Sequence, residues 1–499
     1  MTSTPTPSNP HRESGDGPAR ANTNGSAHAN GNGDSPAHTN GDVSASASAS
    51  TSASASSSRG TWRRILALAV PTFGQLIAEP AFILIDTAVV GHIGDAALAG
   101  LSIGSTIILT TVGLCVFLAY GTTSQVAHLI GAGRRREGLE AGIDGMWLAF
   151  GIGVVVSIAL FLAGRPLCAA LGASGELLDQ ARLYLNAVVF GLPGMLLVYA
   201  ANGIFRGLQK VRVTLVAAVA GAALNTVLEL LFVIAFGWGI VGSGAATFIA
   251  QWFMGIFLTV PAVLWAKADG ASVRPRLSGI MRSMGDGVPL FLRTLALRVC
   301  LVATVMLAAR MGMAVLAAYQ AVNASWNFVI NMLDAIGIAG QALVATELGA
   351  GRRAEARRMT SAAGRAGALA GVVIGAGLAL TGLLAAPLFS PSEPVRALIT
   401  VGMVTQGVFL PLCGWMWALD GILIGAGDYR YLAATCGLTA CVYLCTLGVV
   451  DRLDTALTSD AARMAALWIV LNVVFIGLRA VFNGVRARSD AWLTPAARR

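Results

Sequence analysis

Three acidic residues lie within long apolar stretches in the first half of this sequence. Glu79 and Asp86 are seven residues apart in EPAFILIDTAVVG, and Glu229 follows Asn225 by four residues in NTVLE. On a helix, seven residues make about two turns and four make about one, so each pair shares a face. A carboxylate at the centre of a bilayer costs roughly 2.5–3.5 kcal/mol on the insertion scale, so acids kept at such positions indicate function.

Acids that share an apolar pocket are expected to take up and release a proton. Desolvation and mutual repulsion both favour the neutral acid, so a proton is held until the pocket opens to water or a cation enters. A structural hydrogen bond to a neighbouring helix is the alternative for Asp86, and also for Glu79, which precedes Pro80. Pro71 and Pro80 each remove a backbone hydrogen bond and predict a kink or bending hinge.

The composition indicates that these residues are held by membrane-spanning helices. The 499 residues are 56% hydrophobic and 12% charged, about half the charged fraction of a soluble domain. From Trp62 onward, apolar runs long enough to cross about 30 Å of hydrocarbon alternate with short polar breaks. They predict an all-α fold with twelve transmembrane helices, near residues 64–90, 96–127, 138–163, 177–205, 213–236, 239–266, 287–311, 314–346, 360–387, 394–423, 431–450 and 462–485.

The positive charge predicts topology rather than nucleic-acid binding. The net charge is +9, and basic residues gather in every second break, as in RRR at residues 134–136 and RR at 352–353. By the positive-inside rule, these breaks and both termini lie in the cytoplasm. The seven cysteines are scattered without the spacing of a disulfide framework or a zinc site. No nucleophile–base pair is evident, so we expect no enzyme activity and no nucleic-acid partner.

An internal repeat divides the transmembrane region at a constant offset of 218 residues. LIGAGRRREG (residues 129–138) returns as ELGAGRRAEA (347–356), and VPTF (70–73) returns as VPLF (288–291). Two halves with an even number of helices insert in the same orientation, related by an axis along the membrane normal, and a substrate site is expected between them.

The predicted organisation therefore has two lobes and two tails. The first 58 residues lack Leu, Ile, Phe, Trp and Tyr, and such a segment is expected to be disordered. In order, the predicted parts are the disordered tail (1–58), the N-lobe with six helices (62–266), a cytoplasmic linker (267–286), the C-lobe with six helices (287–486) and a cytoplasmic C-terminal tail (487–499).

The C-lobe has no acid at the repeat equivalents of the N-lobe acids, but it keeps other charges within its apolar runs. These are Arg293, Arg298, Asp334 and Asp420. Asp334 is expected either to pair with an arginine or to bind substrate, and Asp420, close to a basic loop, is expected to cap or pack. Cation coupling is therefore predicted in the N-lobe, while Arg293, Arg298 and Asp334 form a polar cavity in the C-lobe.

These features resemble the MATE (multidrug and toxic compound extrusion) transporters, most closely their DinF-like prokaryotic branch. The likeness rests on VPTFGQLIAEPAFILIDTAVVGHIG with its spacing from Pro71 to Asp86, on the repeated GAGRR loop and on DGILIGAGD from residue 420. It covers the chain after about residue 62. The resemblance implies an inner-membrane antiporter that exports lipophilic, cationic drugs or metabolites. We expect it to be a monomer with no cofactor beyond the coupling ion.

The resemblance also implies a set of site residues. It implies that Asp86, Asn225, Glu229 and Thr247 form the coupling site, and Pro71 matches the proline that bends the first helix in the family. We add Glu79 to the coupling site because its seven-residue spacing from Asp86 places both acids on the same helix face.

Protons are the expected coupling ion, and two alternatives remain open. The acid that marks sodium-coupled relatives on the seventh helix is absent, and this chain has Arg293 and Arg298 there. The oxygen ligands of the coupling site also suit sodium, which is the first alternative. The second is a flippase for lipid-linked saccharides of the same superfamily, because arginines in the C-lobe suit phosphates.

Overall fold

The computed structural model describes residues 42–454, 457 and 459–494, except for the side chains of residues 42–59, 79 and 81–84. The chain divides into two compact units, Met1–Ala55 and Ser56–Arg499. The described part of the first unit is helical. The site lies in the second unit.

Twelve long helices follow one another along the described residues, which contain no β-strand. Eleven of them are apolar and long enough to cross a membrane, and α1 carries the apolar run from residue 64 to residue 90. The predicted all-α fold of twelve transmembrane helices is therefore confirmed. The helices are α1 Asp42–Gly91, α2 Asp95–Gly131, α3 Arg135–Ala170, α4 Gly175–Gly207, α5 Val211–Ala235, α6 Gly239–Ala268, α7 Leu277–Arg310, α8 Met313–Gly349, α9 Arg353–Leu384, α10 Glu393–Gly425, α11 Tyr429–Arg452 and α12 Asp460–Arg488.

Helix α1 begins well before the predicted first span. It starts at Asp42, so residues 42–58 are helical where we expected disorder, and residues 1–41 lie outside the described residues. This segment alternates Ser with Ala, the strongest helix former, and a helix that is already nucleated by an apolar span extends at little cost. Helix α1 continues through Pro71 and Pro80, and the hinge role of these prolines stays a prediction.

The boundaries between lobes are also shifted. Helix α7 begins at Leu277, so half of the predicted linker is helical. Beyond α12, a short turn at Ala491–Leu493 buries Trp492 and Leu493 against the C-lobe.

The two lobes repeat the same helix register. Helices α2, α3, α4 and α5 begin 218 residues before α8, α9, α10 and α11, respectively. Helices α2 and α8 meet at equivalent glycines: a Cβ atom on Gly131 would lie 2.0 Å from the Thr346 carbonyl oxygen, and one on Gly349 would lie 2.0 Å from that of His128. Glycine permits backbones to approach this closely. The axis that relates the lobes therefore passes between these two contacts.

The lobes are joined on the side that carries the basic loops, here called the basic-loop side. Among the described residues, the hydrogen bonds between lobes all lie between the level of Tyr120 and the basic-loop ends of the helices. They join Tyr120 to Asp334 (3.0 Å), Gln341 to Tyr120 (2.7 Å), Ser124 to Gly425 (3.0 Å), Gln125 to Asp286 (3.0 Å), Ser283 to Gln125 (3.3 Å), Gln209 to Thr346 (3.3 Å) and Arg64 to Glu347 (2.9 Å). These hydrogen bonds hold the two lobes together on the basic-loop side.

Four helices contain breaks in their regular geometry. Helix α2 turns at Cys115 and α4 has a 3-10 turn at Val189–Gly191, while α5 and α12 contain π-helical turns at Leu230–Ala235 and Leu471–Ile476. The π turn of α5 follows Glu229 directly. Such turns are frequent at functional sites.

Candidate functional site

Three N-lobe helices bring the predicted coupling residues together. Asp86 lies on α1, Asn225 and Glu229 lie one turn apart on α5, and Thr247 lies on α6. The Asn225 Nδ2 atom donates a hydrogen bond of 2.7 Å to Asp86 Oδ1. The Asp86 carboxyl also lies close enough to the Glu229 carboxyl and the Thr247 hydroxyl to interact with both.

This carboxyl pair is buried and under-satisfied. Asp86 and Thr247 are each 4% exposed, and Asn225 and Glu229 are fully buried. Among the described residues, no partner at hydrogen-bond geometry is found for either oxygen of Glu229, for Asn225 Oδ1 or for Thr247 Oγ1. A buried polar atom without a partner costs about 1–3 kcal/mol, and more if it is charged. A proton on an acid, or a cation held by these oxygens, would supply the missing partner, so the residues fit a bound cation.

Two further residues belong to this site, and the sequence did not single them out. Tyr184 of α4 is buried and lies close to both acids and to Thr247. Ser243 precedes Thr247 by one turn of α6 and has a buried hydroxyl without a partner. The four-residue spacing from Thr247 was a usable signal for Ser243. Nothing in the sequence around Tyr184 distinguishes it from a packing residue.

The side chain of Glu79 lies outside the described part of the chain, so its predicted place beside Asp86 stays a prediction. Asp86, Tyr184 and Thr247 line a cavity of about 150 Å³ inside the N-lobe. This N-lobe cavity shares Gln75 and Tyr199 with a larger cavity between the lobes.

The inter-lobe cavity has a volume of about 490 Å³ and a wall that contains six charged residues. The predicted residues Arg293, Arg298 and Asp334 all line it, and Arg206 reaches it from the N-lobe. Within the described part of the chain, the charged lining residues are Arg206, Arg293, Arg298, Asp334, Asp420 and Arg479.

Asp420 is the centre of a cluster of ion pairs in this wall. Its carboxylate pairs with Arg293 and accepts hydrogen bonds of 3.1 Å from Arg479 Nη2 and from Asn483 Nδ2. The expectation that Asp420 caps or packs near a basic loop is therefore wrong. Helix α12 packs against α10 and presents Arg479 and Asn483, one turn apart, to this carboxylate.

Asp334 joins the lobes instead of forming an ion pair. It accepts a hydrogen bond of 3.0 Å from the Tyr120 hydroxyl, and the ion pairs found among the described residues do not include it. Asp334 was expected either to pair with an arginine or to bind substrate, and the ion pair is not formed; substrate binding stays a prediction.

The C-lobe equivalent of the carboxyl pair is closed. Thr304 stands where the N-lobe has Asp86, and it donates to the Cys300 carbonyl oxygen at 2.9 Å and lies 2.7 Å from the Tyr443 hydroxyl. These neutral partners satisfy Thr304 and leave no carboxyl at this position. The two lobes therefore share a fold but not this chemistry.

Sequence reasoning missed Arg479 and the position of Arg206. Arg479 lies in the last apolar run, so the intramembrane charge that singled out Asp86 was present there too. Arg206 directly follows the predicted span at residues 177–205, but its side chain is 5% exposed and lines the inter-lobe cavity.

Comparison with known proteins agrees with this architecture. A family model described as MatE matches the chain twice, at residues 71–231 and 289–450, and the two matches begin at the repeat offset. Protein DETOXIFICATION 44, chloroplastic, from Arabidopsis thaliana is 28% identical over 445 residues, covering 86% of this chain and 83% of that protein. DNA damage-inducible protein F from Escherichia coli (strain K12) is 26% identical over 418 residues, covering 83% and 89%.

Solved structures share the fold at lower identity. The Vibrio cholerae MATE transporter VcmN in the bent form superposes with a TM-score of 0.78 at 18% identity, covering 88% of this chain and 99% of that one. A MOP superfamily transporter from Pyrococcus furiosus, described as having a binding pocket of reverse polarity, gives 0.76 at 20% identity, covering 86% and 96%. With the family model matched in both lobes, the chain belongs to the MATE family of transporters and is not an enzyme.

Proposed function

We propose that this MATE transporter is a secondary active antiporter that exchanges protons at Asp86 and Glu229 for a small molecule bound between the lobes. The observation that carries the proposal is the carboxyl pair inside the N-lobe, where Glu229 is fully buried with no hydrogen-bond partner. Such a group is stable only with a proton or another cation, because an ionised carboxylate without a partner is too costly to bury.

Proton binding can drive transport only if it favours one arrangement of the lobes over the other. The N-lobe cavity and the inter-lobe cavity share Gln75 of α1 and Tyr199 of α4. A change in packing around Asp86 therefore reaches residues that also line the substrate cavity. Pro71 and Pro80 lie on the same helix, and we propose that they let α1 bend when the proton binds.

Sodium is the competing coupling ion. Asn225 and Thr247 each present a buried oxygen without a partner beside the two acids, and sodium binds such oxygen ligands. Helix α7 carries Arg293 and Arg298 where sodium-coupled members of the family have an acid, and this resemblance is the argument for protons. The test below therefore includes both ions.

The charge of the inter-lobe cavity bears on the substrate class. The resemblance implied cationic substrates, but four arginines and two aspartates line the inter-lobe cavity, and this surplus of positive charge is unfavourable for a cation. The same arginines keep the lipid-linked saccharide flippase as an alternative.

The proposal is tested in proteoliposomes with an acidic interior, in which outward proton flow would draw substrate in. The probes are two naphthalenes that carry either a sulfonate or a trimethylammonium group, because both groups stay charged at the pH values used. Membrane voltage is clamped with potassium and valinomycin. We expect accumulation of at least one probe, and Asp86→Asn should abolish it because Glu229 then no longer shares its pocket with a second acid.

The matched control is Asp95→Asn, which removes an exposed acid at the start of α2 and should leave accumulation unchanged. Accumulation that requires a sodium gradient and ignores the pH gradient would assign the coupling to sodium. Full accumulation by the Asp86→Asn variant would show that the carboxyl pair does not couple transport.

A further inference from the structure

We infer that the inter-lobe cavity binds an amphipathic organic anion, whose acidic group is held by arginines and whose ring packs on tryptophans. This inference rests on the proposed function only in taking the occupant of the cavity as the transported molecule.

The charge of the wall favours an anion. Among the lining residues that the structure describes, four arginines against two aspartates leave two positive charges in surplus. The other polar residues of the wall are neutral amides, hydroxyls and indoles. Because three of the four arginines are buried, they are poorly screened by water and act strongly on a ligand within the cavity.

The two aspartates are already engaged. Asp420 accepts from Arg293, Arg479 and Asn483. Asp334 accepts from the Tyr120 hydroxyl and lies near Arg206 and Arg293 without forming an ion pair with either. Both oxygens of Asp420 thus have donors, and Asp334 lies near two arginines, so the surroundings of neither aspartate favour a cationic ligand.

Unused donors remain on the arginines. The Nε atom of Arg206 is buried and has no hydrogen-bond partner, and the same holds for Nε of Arg293. Arg206 otherwise donates only to Gln75, at 3.2 Å. Arg298 makes no ion pair with a described carboxylate, and its guanidinium lies against Gly113 of α2.

These donors reach the cavity from opposite lobes. Arg206 lies near the end of α4 in the N-lobe, and Arg298 lies on α7 in the C-lobe. Guanidinium groups bind carboxylate, sulfonate or phosphate oxygens with paired hydrogen bonds. An acidic group in the cavity would satisfy arginines of both lobes at once, which links its binding to the arrangement of the lobes.

The apolar part of the wall fits an aromatic or similarly flat group. Trp326 and Trp417 pack edge to face with their ring centroids 6.4 Å apart, and both line the cavity with Phe475. Arg479 stacks over the Trp417 ring at 5.5 Å, so charge and ring surface are adjacent. The volume of about 490 Å³ is that of a site for a drug-sized molecule.

Binding of the two naphthalene probes to the purified full-length chain tests the inference. The protein is placed in nanodiscs of uncharged phosphatidylcholine, and affinity is measured by calorimetry. We expect the sulfonate to bind and the trimethylammonium not to bind. Arg298→Gln should weaken sulfonate binding about ten- to a hundred-fold, the worth of a hydrogen bond to a charged group. Arg298 is chosen because no carboxylate depends on it for a partner.

Arg365→Gln is the matched control, because Arg365 is exposed on α9 and bonds only to the Ser361 carbonyl oxygen; it should not change affinity. Tighter binding of the trimethylammonium probe, or unchanged sulfonate affinity in Arg298→Gln, would overturn the inference. Arg298→Lys keeps the charge and should retain part of the affinity, which separates loss of binding from loss of folding.

A lipid headgroup offers the same anionic chemistry. The measurement is therefore repeated in discs that contain phosphatidylglycerol. If this lipid displaces the sulfonate from the wild-type chain but changes nothing in Arg298→Gln, the occupant is a lipid and a soluble anion is excluded. Unchanged affinity supports the soluble anion.

The two proposals fail separately. Sulfonate binding without any gradient-driven accumulation would remove the antiport proposal and leave the anion site in place. Proton-driven accumulation of the trimethylammonium probe alone would remove the anion site and leave the antiport proposal in place.

Discussion

Asp420 accepts hydrogen bonds from three donors on two helices, α7 and α12, and is therefore expected to stabilise the packing of the C-lobe. Its partners Arg293 and Arg479 are buried, so each depends on the carboxylate for compensation of its charge. Removing one member of a buried ion pair destabilises a protein more than replacing both members with apolar residues, because the remaining charge stays buried without a partner.

We therefore expect Asp420→Asn to lower the free energy of unfolding by about 3–5 kcal/mol, measured as a lower Tm of the detergent-purified protein. The control is Asp451→Asn, which breaks the exposed pair between Arg310 and Asp451 at 3.0 Å and should cost no more than about 1 kcal/mol. Equal effects of the two substitutions would show that the Asp420 cluster adds no stability.

At this scale the sequence was a good guide to the acids and a poor one to the arginines. Asp86, Asn225, Glu229 and Thr247 stood out from the sequence and the family resemblance, and the structure brings them together. Asp420 and Arg479 are also charges in apolar runs, but their pairing depends on how α10 and α12 pack. Asp420 and Arg479 are 59 residues apart in the chain, so their contact cannot be deduced from the residue spacing within either helix.

Among the helices, α2 and α8 show most directly how the closed side is formed. Their contact at Gly131 and Gly349 leaves no space for a side chain. A Cβ atom on either glycine would lie 2.0 Å from a carbonyl oxygen of the other helix, whereas a carbon and an oxygen in contact are separated by about 3.3 Å.

Gly131→Val should therefore disfavour closure on the basic-loop side, because α2 and α8 would have to separate by more than about 1 Å. Spin labels at Arg136 and Ala354, which are exposed repeat equivalents, report the distance between lobes on that side. The exposed Cys441 and Cys445 are first replaced by serine. We expect the distribution of distances to shift to longer values.

The control for this experiment is Gly437→Val on α11, since a side chain at Gly437 meets no atom within 4 Å. It should leave the distances unchanged. A Gly131→Val variant with the wild-type distribution would mean that the glycine contact does not limit closure.

The helices themselves were predictable because twelve long apolar runs leave few alternative structures in a membrane. Their internal breaks were not. The π turn after Glu229 widens the helix by one residue at the proposed coupling site, and no glycine or proline in Leu230–Ala235 indicates it. The extension of α1 to Asp42 was also missed. The lack of large apolar residues shows that this segment cannot form a core, but it does not show whether the neighbouring helix continues into it.

Across the whole molecule, two lobes of equal fold divide the chemistry unequally. The N-lobe holds a carboxyl pair inside its own helix bundle, and the C-lobe contributes most of the arginines of the shared cavity. Duplication explains the common helix register, and divergence explains why Thr304 bonds to neutral partners where Asp86 meets a second acid.

The surplus of arginines in the inter-lobe cavity has an electrical consequence. Moving one proton inward for each monovalent anion sent outward transfers two positive charges in one direction, whereas exchange for a monovalent cation transfers none. A potential of 100 mV is worth about 2.3 kcal/mol for each charge, so about 4.6 kcal/mol favours anion export. In proteoliposomes, where accumulation moves the anion in and the proton out, a valinomycin potential that is positive inside should raise sulfonate accumulation steeply, and an unchanged level would exclude this charge movement. Cells would then power such an exporter more by voltage than by acidity.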